Sequence, residues 1–319
     1  CVKAGQSARP PKGLGLRGAP LRVYADALPP TSRKSPMSEP AVSPPRAPAV
    51  FTQGSLARHV LVMTSTGSIG LVAVFMVDLL SLIYVSWLGE PALTAGVGFA
   101  AQVLFFIISL NIGLSIAVSA VVARAIGAND RPRAQQLASS GLTHTFIIAT
   151  VTGLALYVFR RPALELLGAR GAALDAADIY LVWTLPTNGL MALGMALSGV
   201  LRAVGDARRS MYVTLFGSIV TAVVDPLLIL GLKMGVEGAA IAAVVSRIVW
   251  MAVGLWGSVH VHGIVGRPDR KSVMLDLPPM MKIALPAILT NLAAPVANGY
   301  AVHAMANFGE AAVAAGAII

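Results

Sequence analysis

The chain has 319 residues, of which 56% are hydrophobic and only 12% are charged, and its mean hydropathy is +0.76. No soluble globular domain of ordinary composition is so apolar, so the sequence predicts an integral membrane protein. The net charge is +10, but basic residues lie in the N-terminal segment and between apolar runs, which indicates membrane topology and anionic-lipid contact rather than nucleic-acid binding. The single cysteine, Cys1, excludes an internal disulfide framework and any CxxC metal or redox site.

The N-terminal segment, residues 1–55, is rich in proline, serine, arginine and alanine and has no hydrophobic periodicity. We therefore expect it to be disordered. The chain begins with Cys1, whereas Met37 opens an ordinary start, MSEPAVSPPRAPAVF, which suggests a fragment or upstream translation outside the mature protein. The alternative is an organelle transit peptide, because residues 1–36 contain arginine and little acid.

Long apolar runs follow one another from Val60 onward, and each is long enough to cross a hydrocarbon core of about 30 Å as a helix. The alternation that is typical of a membrane β-barrel is absent, so the predicted fold class is all-α. The runs lie at about 60–87, 93–125, 134–159, 178–201, 210–232, 237–259 and 280–306, and an eighth begins near Glu310.

Basic residues mark alternate connections between the runs. Clusters of basic residues follow the second, fourth and sixth runs. After the second run, for example, the cluster consists of Arg124, Arg131 and Arg133. The connection between the first and second runs, residues 88–92, carries no basic residue. By the positive-inside rule, the N-terminus is predicted to be cytoplasmic.

The fifth run contains an acid followed by proline, Asp225-Pro226. A charged residue at the bilayer centre costs roughly 2.5–3.5 kcal/mol on insertion scales, so such a residue usually faces a protein interior or a wet cavity, where it binds ions or protons. Pro226 also frees a backbone carbonyl near Ala222 as a potential ligand. The alternative interpretation is a kink beside a helix-capping acid near the membrane interface.

An internal repeat relates residues 87–99 (WLGEPALTAGVGF) to residues 307–319 (NFGEAAVAAGAII) at a constant separation of 220 residues. At the same separation, Asp78 falls on Asn298. Because six helices lie within one period, we expect two halves of the same orientation, with further helices of the second half beyond this chain. A chance match between short segments rich in alanine and glycine is the alternative.

Five sequence segments now give the chain a family likeness: it resembles the multidrug and toxic compound extrusion (MATE) family of cation-coupled antiporters. The resemblance covers about residues 55–319, and each segment is weakly specific alone, whereas the five together are strongly specific. They are Val77-Asp78 before Trp87-Leu88-Gly89, the turn LRAVGDARRSMY, the fifth-run VVDPLLI, GVEGAAIAA opening the sixth run and IALPAIL in the seventh.

The resemblance implies an all-α integral membrane transporter with two lobes and twelve helices, of which about seven to eight belong to this chain. The expected division of the chain is a disordered segment at 1–55, an N-terminal six-helix lobe at 56–262, a cytoplasmic linker between the lobes at 263–279 and the start of the second lobe at 280–319.

The resemblance also implies a function, secondary active antiport that exports organic, cationic compounds (multidrug efflux) in exchange for protons or sodium. In the family, acids on the first and fifth helices form a cation site in the N-terminal lobe, and Asp78 and Asp225 match those positions. Asp78 lies within about ten residues of the outer end of its run. An acid at the membrane interface is therefore the alternative interpretation for Asp78.

Three departures from the family pattern concern the coupling ion. Thr221 stands where many members have asparagine, Ala243 replaces the threonine that ends the GAAxAT motif, and Ala294 stands where some sodium-coupled members carry an acid. Sodium needs several oxygen ligands at short range, so two carboxylates with few neutral oxygens favour a proton site. We expect Asp78, Asp225 and Thr221 to form the coupling site, although carbonyls released by Pro226 leave sodium open.

Other polar residues at membrane depth are candidates for the cavity or for charge pairing. Arg247 is costly in the sixth run unless it faces a cavity or pairs with an acid, and its alternatives are a structural ion pair or a snorkelling side chain. Asn188 and Asn298 are further cavity candidates, and satisfied contacts between helices are the alternative for Asn188.

The remaining expectations concern function class and partners. The sequence lacks the magnesium-diphosphate acid clusters, the HExxH helix and the paired nucleophile and base of membrane enzymes, so no enzyme activity and no metal or organic cofactor is predicted. A lipid-linked precursor flippase of a related superfamily is the alternative function. The expected partners are small organic substrates and the lipid bilayer, without nucleic acid. We expect a monomer in the bacterial inner membrane, with an organelle membrane as the alternative.

Overall fold

A computed structural model of the chain describes residues 56–306 and Phe308. The predicted disordered segment, 1–55, lies outside the described residues, and so does the second copy of the internal repeat apart from Phe308.

The described residues are almost entirely helical. Nine α-helices follow one another in this part of the chain, and the seventh and eighth each continue into a π-helical turn, at Leu227–Gly231 and at Trp256–Val261. The helices are α1 (Leu56–Ser86), α2 (Pro91–Gly127), α3 (Arg131–Val158), α4 (Arg160–Leu166), α5 (Gly171–Thr184), α6 (Asn188–Ala203), α7 (Ala207–Pro226), α8 (Gly235–Leu255) and α9 (Arg270–Ala306).

Six of the described helices are long and apolar enough to cross a membrane, namely α1, α2, α3, α7, α8 and α9, the seventh and eighth with their π-helical turns. The pair α5 and α6 adds a seventh crossing if the two helices form one broken span. The predicted all-α membrane class is therefore confirmed, and each apolar run from the first to the seventh corresponds to one of these spans.

The fourth span departs from the single helix predicted at 178–201. Helix α5 begins earlier, at Gly171, and its axis is bent by 60° from that of α6 at a break around Pro186. Proline lacks an amide hydrogen and clashes with the preceding turn, which ends a regular helix. The carbonyl of Thr184, left at the end of α5, instead accepts a hydrogen bond from the Thr187 hydroxyl at 3.0 Å.

Helix α9 begins ten residues before the predicted seventh run, so only 263–269 of the predicted linker 263–279 is non-helical. The early start has a local cause, because the carboxylate of Asp269 accepts a hydrogen bond from the amide of Ser272 at 3.3 Å. An acid in this position satisfies one of the free amides of the first helical turn. The helix then continues through Pro278 and Pro279.

Helix α2 lies at the centre of the described structure and packs against α3, α5, α6 and α9. Small residues allow these close contacts. A Cβ atom added to Gly113 would lie 2.4 Å from the side chain of Ile288 on α9. Large apolar side chains such as Leu114 and Leu197 fill the fully buried core between the helices.

A tryptophan on α8 is held between two glycines of neighbouring helices. A Cβ atom on Gly217 of α7 would lie 1.8 Å from Nε1 of Trp250, and one on Gly194 of α6 would lie 2.8 Å from its Cβ. Since real Cβ atoms do not approach other atoms so closely, both glycines are required for the observed packing of α8.

Charged side chains join several helices at the end of the structure that we predict to be cytoplasmic. His262, after the π-helical turn of α8, places Nε2 2.8 Å from a carboxylate oxygen of Asp206. The carbonyl of His262 accepts a hydrogen bond from Arg131 at 2.7 Å. An ion pair of 2.7 Å between Arg133 and the buried Asp276 joins α3 to α9.

Candidate functional site

The site begins with a buried acid on α7. The side chain of Asp225 is 1% exposed and lies next to Pro226, where α7 passes into its π-helical turn. One carboxylate oxygen, Oδ2, accepts a hydrogen bond from the hydroxyl of Ser81 on α1. The other, Oδ1, is buried and has no hydrogen-bond partner among the described residues. An acceptor in that condition is suited to receive a proton or a cation.

The second acid, Asp78, lies on α1 three residues before Ser81, so the two side chains share one face of the helix. Helix α1 packs along α7, and Asp78 interacts electrostatically with Asp225. The structure therefore brings together the two acids that the sequence placed 147 residues apart. Asp78 is the more exposed of the two, which gives the pair an accessible and a buried member.

Two further residues of this site escaped the sequence analysis. Ser81 binds Asp225, and its position one turn after Asp78 was the available signal. Tyr180 on α5 packs against a cluster that includes Val85 of α1 and Ile229 in the π-helical turn after α7. A tyrosine within a predicted span is a signal for a polar contact, because its hydroxyl requires a hydrogen-bond partner when it is buried.

Thr221 lies one turn before Asp225 on α7 and is buried, as a coupling residue would need to be. Its hydroxyl donates a hydrogen bond to the carbonyl of Gly217 on the same helix at 3.0 Å. The hydroxyl proton is therefore committed to the backbone, and only oxygen lone pairs remain for another group. Its role in coupling stays a prediction.

Arg247 is buried on α8, and its guanidinium contacts the break between α5 and α6. It donates hydrogen bonds to the carbonyl of Thr184 and, at 2.7 Å, to the hydroxyl of Thr187. No ion pair joins Arg247 to Asp78 or Asp225 in the described structure. Of the possibilities considered for Arg247, pairing with one of these acids is not observed, and its neutral partners lie at the C-terminal end of α5, where the helix dipole favours a cation.

The two asparagines of the predicted site lie elsewhere in the lobe. Asn188 is fully buried, donates to the carbonyl of Ala149 on α3 at 2.8 Å and accepts from Asn111 on α2 at 2.8 Å. It thus fits the alternative of a satisfied contact between helices. Asn298 is exposed on α9, a helix that packs mainly on α2 and α3, and no recorded contact brings it to the acids.

Comparison with known proteins decides the family. The family model described as MatE matches residues 68–227, which is half of the chain and includes both acids and Ser81. The chain belongs to the MatE family. This membership confirms the resemblance found in the sequence and places the chain among transporters rather than enzymes.

Curated relatives of this MatE chain are bacterial. A protein named "FAD transporter" from Shewanella oneidensis is 29% identical over 266 residues, which cover 82% of this chain and 59% of the relative. "Probable multidrug resistance protein YoeA" from Bacillus subtilis is 29% identical over 169 residues, covering 51% of this chain and 36% of the relative. The chain thus spans little more than half the length of the relative with the longer match.

Solved MATE structures share the fold. The crystal structure of a mutant of the Vibrio cholerae MATE transporter VcmN aligns with a TM-score of 0.72 and 29% identity over 82% of this chain and 60% of that chain. An inward-facing multidrug resistance MATE family transporter of the MOP superfamily aligns with a TM-score of 0.68 and 27% identity over 76% of this chain and 56% of that chain.

The chemistry of the MatE site follows from its residues. Between residues 56 and 306, no group of three or more histidine, cysteine or acidic side chains is arranged to hold a metal ion. The acid pair instead offers one buried, unpartnered carboxylate oxygen and one accessible carboxylate. Such a pair is able to exchange protons, or a monovalent cation if further oxygens complete its shell.

Proposed function

We propose that the full-length protein, of which this chain forms a part, is a secondary active antiporter. It exports organic, cationic compounds in exchange for protons or sodium entering the cell. The observation that supports this proposal most is the buried carboxylate of Asp225, which is bonded to Ser81 on α1 and has one unpartnered oxygen. Because the insertion of a carboxylate into the membrane is costly, an acid at this depth indicates a functional site.

The contact between α1 and α7 suggests how ion binding is linked to helix movement. An ionised Asp225 is a strong acceptor for the Ser81 hydroxyl, because hydrogen bonds to charged groups are roughly twice as strong as neutral ones. Protonation of Asp225 weakens this bond and loosens α1 from α7. Asp78, which lies one turn before Ser81 on α1 and is the more exposed acid, binds an incoming ion first.

Protons are the favoured coupling ion. Thr221 offers a single side-chain oxygen, whose lone pairs remain free, and Ala243 and Ala294 offer none. Few neutral oxygens therefore surround the acids, whereas a sodium site needs several. Sodium remains the alternative, with backbone carbonyls beside Pro226 as the additional ligands.

Efflux from vesicles that contain the full-length protein tests the proposal. A pH gradient without sodium is expected to drive export, and Asp225→Asn and Asp78→Asn are each expected to abolish it, because a neutral amide cannot exchange charge with a proton. Asp175→Asn is the matched control, since Asp175 is an exposed acid paired with Arg161 on the surface. Transport driven only by a sodium gradient would refute proton coupling, and concentrative efflux in either site variant would remove that acid from the mechanism.

A second candidate substrate is a flavin dinucleotide. The supporting observation is the match to the Shewanella protein named "FAD transporter", which covers 82% of this chain. The same vesicles, supplied with FAD in one series and with a lipophilic cation in another, discriminate the two substrate classes. A lipid-linked precursor flippase is the third alternative, and a fluorescent lipid-linked precursor that moves between leaflets in these vesicles would favour it.

We further propose that the protein is a monomer in the bacterial inner membrane with a cytoplasmic N-terminus. The distribution of basic residues supports this orientation. In a cysteine-free background, a cysteine at Gly266 is expected to react with an impermeant reagent from the cytoplasmic side, and one at Pro91 from outside. The reverse labelling would overturn the orientation.

A further inference from the structure

A buried positive charge without an acidic partner lies in the same helix group as the acid pair. Arg247 is 7% exposed, and its recorded hydrogen-bond partners are a backbone carbonyl and a hydroxyl, both neutral. Neutral partners satisfy the guanidinium N–H groups, but they leave its unit charge in place. Arginine stays protonated in proteins, so this charge persists whatever the acids do.

The charge lies on a helix that packs on both helices of the acid pair, α1 and α7. Close contacts of Gly217 with Trp250 and of Gly238 with Leu228 lie at the two ends of the α7–α8 stretch that includes both Asp225 and Arg247. Helix α8, which carries Arg247, packs directly on α7, which carries Asp225. Charges separated by protein rather than by water are screened little, so Arg247 contributes to the potential felt by any ion beside the acids.

Other charged or titratable groups on the surrounding helices do not cancel this charge. On α5, Asp178 is paired with both Arg160 and Arg161. On α8, Glu237 lies in the first turn and is exposed, about ten residues from Arg247. The remaining groups lie near helix ends or on exposed surface: Arg58 and Tyr84 on α1, Arg124 on α2, Asp175 on α5, Arg202 on α6, and Arg208, Arg209 and Tyr212 on α7.

The net charge of the group therefore changes sign when the acids load protons. With Asp78 and Asp225 both ionised, these two residues and Arg247 carry one net negative charge. With both acids protonated, the same three residues carry one net positive charge. A cation is attracted in the first state and repelled in the second.

We propose that Arg247 is a fixed positive charge that expels cationic substrates when the acid pair is protonated. The proposal rests on the proposed antiport function and assigns to Arg247 a role in specificity and release. The contacts to Thr184 and Thr187 hold the guanidinium at the break between α5 and α6. Without this charge, protonation only removes an attraction; with it, protonation creates a repulsion.

The test measures equilibrium binding of tetraphenylphosphonium to the full-length protein in nanodiscs across a range of pH. In the wild type, affinity for this cation is expected to fall as pH falls. Arg247→Gln is expected to reduce this acid-induced loss by about tenfold, because the repulsive part disappears. Arg247→Lys keeps the positive charge and is therefore expected to show the same acid-induced loss of affinity as the wild type. Triphenylphosphine oxide, a neutral probe of similar size, is expected to bind all three proteins with little dependence on pH.

The variant Thr187→Val removes one partner of the guanidinium and keeps its charge. It is expected to preserve the acid-induced loss of cation affinity, and a loss of the effect in this variant would make geometry rather than charge responsible and overturn the proposal. A wild-type pH profile in Arg247→Gln would also overturn it, as would parallel changes for the cationic and neutral probes.

The proposed function is tested separately by Asp225→Asn. If wild-type binding does not depend on pH, both proposals fail; if only Asp225→Asn abolishes the dependence, only the role of Arg247 fails.

Discussion

Asp206 and Asp130 begin α7 and α3 in the same way, each accepting a hydrogen bond at 3.0 Å from the backbone amide three residues later. Asp206 alone has additional partners, His262 at 2.8 Å and the guanidinium of Arg209. A comparison of the two acids therefore separates the contribution of the helix cap to stability from the contribution of the charge network. The cap is common to both, and the contacts with side chains are specific to Asp206.

We predict that Asp206→Ala destabilises the protein more than Asp130→Ala does. Loss of an N-cap costs about 1 kcal/mol, and Asp206→Ala also removes its ion pairs, which adds a further cost of about 1–3 kcal/mol. Asp206→Asn keeps a capping oxygen, and its loss of stability is expected to lie between those of the two alanine variants. Thermal unfolding of the full-length protein in detergent measures these differences. Equal melting temperatures for the two alanine variants would mean that the network around Asp206 contributes nothing.

Acid should destabilise the protein through the same residue. Burial acts to raise the pKa of Asp206, but hydrogen bonds from His262 and Arg209 outweigh it and hold the pKa well below its usual range. A carboxyl group whose folded pKa is depressed contributes stability above its unfolded pKa, near 4, and this contribution is lost as pH falls through the folded value. The wild type is therefore expected to lose more stability than Asp206→Asn between about pH 5 and pH 2. Parallel pH profiles for the two proteins would contradict this prediction.

The ion pair between Arg133 and Asp276 is predicted to hold α9 against α3. Asp276 is 2% exposed and also accepts a hydrogen bond from Gln136 at 3.3 Å. Asp276→Asn is expected to cost about 1–3 kcal/mol, because it leaves Arg133 without its charged partner. The exposed pair between Arg161 and Asp175 is the control, and Asp175→Asn is expected to change stability by less than about 1 kcal/mol. Similar thermal shifts for the two variants would refute the prediction.

Ser81 is predicted to influence transport through Asp225. Ser81→Ala removes the hydroxyl donor of Oδ2, and hydrogen bonds to charged groups are worth about 1.5–3 kcal/mol, so efflux is expected to slow by roughly tenfold or more. Ser81→Thr, which keeps the hydroxyl, is expected to retain most of the activity. Ser65→Ala, on the same helix, provides the control, since the hydroxyl of Ser65 bonds only the carbonyl of Leu61. An active Ser81→Ala protein with an unchanged pH dependence would remove this contact from the mechanism.

The sequence was sufficient to predict features that depend on local composition. The spans follow from the length of the apolar runs, and Asp225 stood out because an acid beside proline is costly at that depth. Ser81 and Tyr180 were missed because their importance arises from contacts between helices, and 144 residues separate Ser81 from Asp225. Their residue types are common in membrane helices, so the local signals, a serine one turn after Asp78 and a tyrosine within a predicted span, are weak.

The errors in the predicted helix boundaries also have physical causes. The seventh run was predicted to begin at about residue 280, whereas the cap supplied by Asp269 starts α9 at Arg270, and the helix continues through Pro278 and Pro279. At Pro186, in contrast, the fourth span does break. One difference is a tertiary contact, because Arg247 on α8, in addition to the neighbouring Thr187, binds the carbonyl of Thr184 that the break leaves free. A single sequence does not reveal which proline receives such compensation.

The packing of Trp250 between Gly194 and Gly217 links three positions that are far apart in the sequence. A larger residue at 217 would have to separate α7 from α8, and Asp225 lies two turns further along α7. Evolution therefore has few ways to change these sites one at a time. Across homologous sequences we expect covariation: where position 250 carries a small side chain, positions 194 and 217 become free to vary, and where it carries tryptophan, both remain glycine.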